Sequence, residues 1–179
     1  KESSIIDKRT NEPFERNGEI YVSAFDRKVW KYNIDIAKEA VELFGFNEIQ
    51  LDYIRFIDRT QELDKNDELD YHNVFDEHKA EAIQRFAMYA YDELSDIEVY
   101  LSADVFGEVG YVYKPSSLSY GQQWHALSNV IDYISPMVYP DHYDESFTDG
   151  RPPFLYPYEL VLKVSKISKA MNDQIPTPA

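Results

Sequence analysis

The stretch EIQLDYIRF, residues 48–56, alternates apolar and polar side chains in the way a β-strand does. Ile49 and Leu51 fall on one side of the predicted strand, and Gln50 and Asp52 fall on the other. The end of the stretch nevertheless carries a carboxylate and a guanidinium, where a strand inside a core has only apolar groups. This charged pair indicates either a functional site or a local ion pair.

Strand-then-helix passages recur along the chain and predict an α/β fold. The predicted strands cover residues 18–25, 47–56, 97–107 and 129–140. The first predicted helix covers residues 33–44 and ends at Gly45, and the second covers residues 76–94. A third begins near residues 119–122, where Ser119 and Gln122 have the spacing of a capping box, and the last begins at Pro157. Right-handed crossovers of this kind make a parallel sheet.

The connections are unequal in length. Those from helix to strand are tight, whereas those from strand to helix are long and polar, at about residues 57–73, 108–118 and 141–156. In parallel sheets the ligand site lies beyond the carboxyl ends of the strands. We therefore expect the functional face at that end.

Composition limits the partners and the chemistry. The 179 residues suffice for one domain, predicted to span 1–179, and carry a formal net charge of −15. An acidic surface repels nucleic acid and anionic membranes, so a neutral or cationic substrate is favoured. There is no cysteine, no signal peptide, and no apolar run that reaches the roughly 18 residues of a membrane-inserting helix. Aromatic residues make up 15% of the chain, which suits a site for ring-shaped ligands, although tyrosine also fills strands.

Asp52 and Asp104 occupy matching places, each at the carboxyl end of a predicted strand. On neighbouring strands, whose axes lie about 4.8 Å apart, their carboxyl groups would face each other across roughly 5 to 10 Å. That range covers both the retaining and the inverting geometry of glycosidic cleavage. The alternative is that each aspartate caps the turn that follows it.

Arg55 lies close enough in sequence to pair with Asp52. Such a pair would lower the pKa of Asp52, as a nucleophile or charge stabiliser requires. Asp104, flanked by Val105 and Phe106, would then be the general acid in drier surroundings. The two roles are interchangeable at this stage, and a purely structural Asp52–Arg55 ion pair is the competing account.

Aromatic and hydrogen-bonding residues follow the fourth predicted strand and are typical of sugar-binding loops. The candidate substrate-binding residues are Arg55, Tyr53, Tyr139, Asp141, His142, Tyr143 and Trp124. The four histidines have spacings unlike a zinc motif, and serine-elbow, P-loop and dinucleotide-binding motifs are absent from the sequence. We expect no cofactor and no metal.

Three stretches, residues 31–56, 101–107 and 132–143, together resemble the family described as "putative glycosyl hydrolase domain", once catalogued as a domain of unknown function and related to (β/α)8-barrel glycosidases. The resemblance implies a TIM-type barrel, hydrolysis of a polysaccharide in a bacterial envelope or outside the cell, and Asp52 and Asp104 as the acidic residues of the catalytic face. Two positions depart from the family pattern. Ile57 stands where the family has proline, and Asp141 stands where it has serine.

A full barrel takes about 250 residues, so we expect a partial or truncated barrel, or the central part of a longer one. An incomplete barrel exposes sheet edges, which favours a homo-oligomer. Two other functions stay open: a carbohydrate-binding module without catalysis, and a metal-dependent carbohydrate esterase or deacetylase.

Overall fold

The computed structural model describes residues 2–112 and 119–175. Within them the strands are β1 (Ile6–Asp7), β2 (Glu12–Pro13), β3 (Glu15–Arg16), β4 (Glu19–Ile20), β5 (Glu48–Leu51), β6 (Leu69–Asp70), β7 (Tyr100–Phe106) and β8 (Tyr133–Met137). The α-helices are α1 (Arg27–Phe44), α2 (Gln61–Lys65), α3 (Lys79–Ser95), α4 (Trp124–Leu127) and α5 (Pro157–Asn172). Single 3-10 turns occupy parts of the connections after β7 and β8.

A three-stranded parallel sheet in the order β5-β7-β8 confirms the predicted alternation of strands and helices for three of the four passages. Leu51 lies opposite Ala103 in β5 and β7, and Asp104 lies opposite Ser135 in β7 and β8. In the part of the chain that the structure describes, this sheet does not close into a barrel.

The strand predicted over residues 18–25 is shorter than predicted and does not join the parallel sheet. Its start is β4, which pairs antiparallel with β3, and Val22 makes an isolated bridge to Ser4. The reason is local. Asn17 and Gly18 have positive φ angles of 55° and 83° and form the two-residue loop between β3 and β4, which is the strongest short-range signal for a hairpin. The chain therefore turns back before it can join the parallel sheet.

The two sides of the sheet differ because side chains alternate along a strand. Leu101, Ala103 and Val105 of β7 are buried against the helices in the main core. The helices contribute Trp30, Ile34, Ile83, Phe86, Ala90, Leu94, Leu127 and Met171 to that core. The opposite side, here called the polar face, carries Glu48, Gln50, Tyr100, Ser102, Asp104, Tyr133 and Ser135. The charged and polar residues of the strands thus share one side.

Helix boundaries follow local capping. α1 begins six residues before its predicted start because the Asp26 carboxylate accepts the Lys28 N–H at 2.8 Å. It ends as predicted at Gly45, whose left-handed backbone lets its N–H donate to the Val41 carbonyl at 2.8 Å. α5 begins at Pro157, also as predicted. None of the helices in the described residues is long and apolar enough to cross a membrane.

The helix predicted from residues 119–122 is reduced to the single turn of α4, and its capping box is wrong. Ser119 accepts a hydrogen bond from the Gln61 amide at 2.9 Å. Gln122 is buried and bonds to the ends of the strands instead. The long connections do lie after β5, β7 and β8, so the loops converge at the carboxyl end of the sheet.

Candidate functional site

Asp52 and Asp104 lie at the carboxyl ends of adjacent strands. Each directly follows one member of the aligned pair Leu51 and Ala103, and adjacent strands are about 4.8 Å apart. β5 stops there because Tyr53 takes a left-handed backbone with φ of 54°, and the Asp52 carboxylate accepts the Tyr53 N–H at 2.7 Å. The carboxylates are thus displayed where the strands give way to loops.

The side chain of Asp104 is held by its neighbour on β5. Gln50 donates from Nε2 to Oδ1 of Asp104 at 2.6 Å, and both residues belong to the polar face. Asp104 is partly buried, whereas Asp52 is exposed. The two carboxylates therefore meet different surroundings although they lie on neighbouring strands.

Arg55 pairs with a different carboxylate from the one predicted. Its guanidinium lies 3.3 Å from Asp58 Oδ1, and no Asp52–Arg55 ion pair occurs among the described residues. The same guanidinium lies 5.3 Å from the centre of the Tyr53 ring and 4.8 Å from that of Phe106. The left-handed backbone at Tyr53 redirects the chain after Asp52, so Arg55 pairs with the carboxylate three residues after it rather than the one three residues before it.

Two clefts flank the strand ends. The first, here the β5 cleft, has a volume of about 540 Å³, and its lining includes Asp52, Tyr53 and Arg55 along with Gln50, Trp30 and Ile36. The second, here the aromatic cleft, has a volume of about 630 Å³. It is lined by Asp58, Arg59, Gln61, Phe106, Gly107, Glu108, Tyr111, Ser119, Tyr120, Met137, Tyr139, His142 and Tyr143. Arg55 links the two, since it lines the first and contacts Phe106 and Asp58 of the second.

Of the candidate sugar-binding residues after β8, three line the aromatic cleft and one lies exposed outside its lining. Tyr139, His142 and Tyr143 line the aromatic cleft, and the rings of Tyr139 and His142 are 5.5 Å apart. Asp141 is exposed beside His142, with 3.9 Å between carboxylate and imidazole. The predicted cluster therefore does face the carboxyl end of the sheet.

Trp124 lies apart from this group. It is buried in the main core at the start of α4, with 6% of its surface exposed, and lines a separate cavity beside α5. Its position on the helix side of the sheet separates it from the carboxylates of the polar face. Trp124 is thus a core residue and not one of the residues that surround the two carboxylates.

Glu108 was not among the predicted site residues, yet it lines the aromatic cleft. It follows β7 by two residues, and the Tyr120 hydroxyl donates a short hydrogen bond to its Oε1. Burial, followed by this hydrogen bond, raises the pKa of Tyr120 far above its ordinary value, so Tyr120 stays a donor. The signal for Glu108 was its place in the loop immediately after the strand that bears Asp104.

Tyrosines surround Glu108 at the base of the cleft. Tyr111 and Tyr143 pack with ring centres 5.7 Å apart, and Phe147 contacts both rings. Burial, then the nearby Tyr111 and Glu108, raises the pKa of Tyr143 to about 12. Both rings therefore stay neutral at physiological pH.

Gly107 is what allows the chain to pass this cluster. A Cβ at this position would lie 2.2 Å from the Tyr143 hydroxyl and 2.6 Å from the Met137 carbonyl oxygen. No side chain fits without displacement, so glycine lets the end of β7 approach both β8 and Tyr143 closely.

Metal ligands are not grouped in the described part of the chain. Residues 2–112 and 119–175 contain no set of three or more histidine, aspartate or glutamate residues placed to hold a metal ion.

The family described as "putative glycosyl hydrolase domain" matches residues 1–178, almost the whole chain. The chain belongs to this family. This membership confirms the resemblance that the sequence motifs indicated. Among curated proteins, the search finds no match.

One solved structure similar to this chain is a mutant of catalytic domain 2 of the Group II chitinase of Ostrinia furnacalis, in complex with penta-N-acetylchitooctaose. The two chains share 15% sequence identity, and the TM-score is 0.46. The match covers 80% of this chain and 37% of the chitinase chain.

Proposed function

We propose that this protein is a glycoside hydrolase that cleaves a polysaccharide with Asp52 and Asp104, on a framework related to the TIM barrel. The observation that carries the proposal is the placement of two carboxylates at adjacent strand ends, with Asp52 in the β5 cleft and with Arg55 of that cleft in contact with the aromatic cleft. Glycosidases of both stereochemical types use two carboxyl groups on opposite sides of the bond that breaks. Membership of the glycosyl hydrolase family supports the same reaction class.

The two aspartates would share the roles of acid and of nucleophile or base. The Gln50 amide donates to Asp104 and the Tyr53 N–H donates to Asp52, so each carboxylate accepts one hydrogen bond. One aspartate would donate a proton to the glycosidic oxygen as the leaving sugar departs, and the other would act as the nucleophile or the base. The order that the sequence favoured relied on a pair between Asp52 and Arg55, and Arg55 pairs with Asp58 instead.

The aromatic cleft would hold the sugar ring next to the reacting bond. Tyr139, Tyr143 and Phe106 present flat apolar surfaces, and His142 adds a hydrogen-bonding group. Sugar rings have apolar faces and polar edges, so this mixture suits them. Arg55, which contacts both clefts, would bridge neighbouring sugar units.

The test is hydrolysis of a panel of polysaccharides by wild type, Asp52→Asn and Asp104→Asn. Each variant removes a titratable carboxyl group with little change in size, and we expect the release of reducing ends to fall by about 10² to 10⁴-fold, as for loss of an acid or base. Asp92→Asn is the matched control, because Asp92 is exposed on α3 away from the strand ends. Wild-type rates in both site variants would refute the role of the two aspartates.

A second candidate is a carbohydrate-binding module. The sheet, open within the described residues, favours it, because an open polar face excludes water poorly and catalysis relies on excluding water. This interpretation predicts that calorimetry detects glycan binding and that no reducing ends are released. The two aspartate variants would then change affinity alone.

A further inference from the structure

We propose that the aromatic cleft selects a cationic amino sugar, and that Glu108 binds its ammonium group. This inference rests on the proposed function, since it names the class of sugar that the site accepts. The polysaccharide would carry free amino groups rather than only hydroxyl, acetamido or carboxylate groups.

The first argument is the chemistry of Glu108. Its carboxylate belongs to the wall of the cleft and accepts the Tyr120 hydroxyl through Oε1. Tyr120 is buried, and its strongly raised pKa keeps it in the donor form. The glutamate is thus oriented by a neutral donor, which leaves its negative charge for a ligand.

The second argument is the charge balance in the cleft. Asp58, the other carboxylate of the wall, is paired with Arg55 at 3.3 Å and lies 3.7 Å from Arg59. No lysine, arginine or histidine of the described residues forms an ion pair with Glu108. A partly buried carboxylate without a cation is costly, and a cationic ligand would offset that cost.

The third argument is the ring of aromatic side chains. Tyr111 and Tyr143 lie close enough to Glu108 for its charge to raise their pKa values, after the larger effect of burial. Phe106 packs edge-on against Tyr120 at 4.7 Å. Aromatic faces attract cations, so an ammonium group beside Glu108 meets both a carboxylate and rings.

The whole chain favours the same ligand. Its net charge of −15 attracts a polycation and repels a polyuronate, and narrow clefts strengthen such fields. A neutral sugar with a hydroxyl group in place of the amine would fill the same volume but would leave the Glu108 charge unmatched. The cleft should therefore distinguish sugars by charge rather than by size.

The experiment compares methyl glycosides, which avoid any assumption about linkage. Methyl glucosaminide and methyl galactosaminide are titrated against their N-acetylated forms and against methyl glucoside, with the tyrosine ring signals followed by NMR. The Tyr111 and Tyr143 signals are assigned by substitution. We expect the amino sugars to bind at least about tenfold more tightly, the effect of one charge-assisted hydrogen bond, and to weaken as salt is added.

Glu108→Gln should abolish that preference, because the amide keeps the size and the Tyr120 contact but loses the charge. Glu39→Gln is the control: Glu39 is exposed on α1, outside the lining of both clefts, and its replacement removes the same formal charge. Equal binding of amino and N-acetylated sugars by wild type would overturn the proposal, whatever the variants do. So would a preference that survives in Glu108→Gln.

The outcomes separate this inference from the proposed function. If the Asp52 and Asp104 variants lose hydrolysis and the wild type binds amino and N-acetylated sugars equally, the proposed hydrolase activity is supported and the selectivity for amino sugars is refuted. Selective binding with unchanged hydrolysis in those variants would do the reverse.

Discussion

Gln122 offers the sharpest test of how the site is held. This amide is almost fully buried, with 1% of its surface exposed, and it joins the end of β7 to the loop that follows β5. Its Oε1 accepts the Phe106 N–H at 2.9 Å, while its Nε2 donates to the carbonyls of Asp104 at 3.3 Å and Ile54 at 3.4 Å. One side chain therefore satisfies backbone groups of the strand that carries Asp104 and of the loop that follows Asp52.

Gln122→Leu keeps a similar volume and removes all three bonds. A buried polar group left without a partner costs about 1 to 3 kcal/mol. The Phe106 N–H makes the shortest of the three bonds and should cost most, whereas the two longer carbonyl contacts should each cost less. We expect the free energy of unfolding to fall by about 3 kcal/mol, measured by urea denaturation at constant slope.

Gln122→Glu keeps the shape of the side chain but removes the amide group that donates hydrogen bonds. The new carboxyl group can still accept from Phe106, but as a carboxylate it faces two carbonyl oxygens. Its pKa in the folded state is then raised above the unfolded value, so this variant should approach wild-type stability at low pH and lose stability as the pH rises. A Gln122→Leu protein within about 0.5 kcal/mol of wild type, the usual range for surface substitutions, would refute the bridging role.

Two further changes test other features of the site and the N-terminal sheet. Gly107→Ala places a Cβ within 2.6 Å of the Met137 carbonyl oxygen and should lower the free energy of unfolding, measured by urea denaturation, by about 1 to 3 kcal/mol. Adding Tyr143→Phe should restore only part of that loss, because the contact with the carbonyl remains. Full recovery would contradict this explanation. At Asp7, the hydrogen bond from the Arg9 guanidinium lowers the pKa to about 2, so its contribution to stability is present above about pH 4 and is lost as the pH falls through about 2. Asp7→Asn should flatten that part of the profile of unfolding free energy against pH, and profiles that stay parallel to wild type would rule this out.

The sequence predicted the parts of the fold that depend on periodicity and caps. The three strands of the parallel sheet and the end of α1 at Gly45 follow directly from alternation and from a glycine stop. The first predicted strand failed because residues 18–25 alternate like a strand whichever partner they find. The asparagine and glycine at 17–18 decided that partner through a tight turn.

The candidate site was predictable only in part, because its geometry depends on side chains that meet across loops. Asp52 and Asp104 were found from their equivalent places in two strands. The partner of Arg55 was missed because the left-handed backbone at Tyr53 has no clear signature in a tyrosine. Glu108 was missed because a lone glutamate in a loop resembles a solvated charge until the buried Tyr120 is seen to contact it.

The alternation along β7 separates two kinds of constraint within seven residues. Positions 101, 103 and 105 are fixed by close packing with the helices, so changes of volume there are paid in stability. Positions 100 and 104 face away from that packing and are exposed or half-buried, whereas Ser102 on the same side is buried and donates to Glu48 Oε1 at 2.6 Å. A deep mutational scan of this strand that scores folding alone should accordingly find positions 101, 103 and 105 intolerant of changes in volume and position 100 tolerant, while changes at Asp104 should appear when hydrolysis is scored.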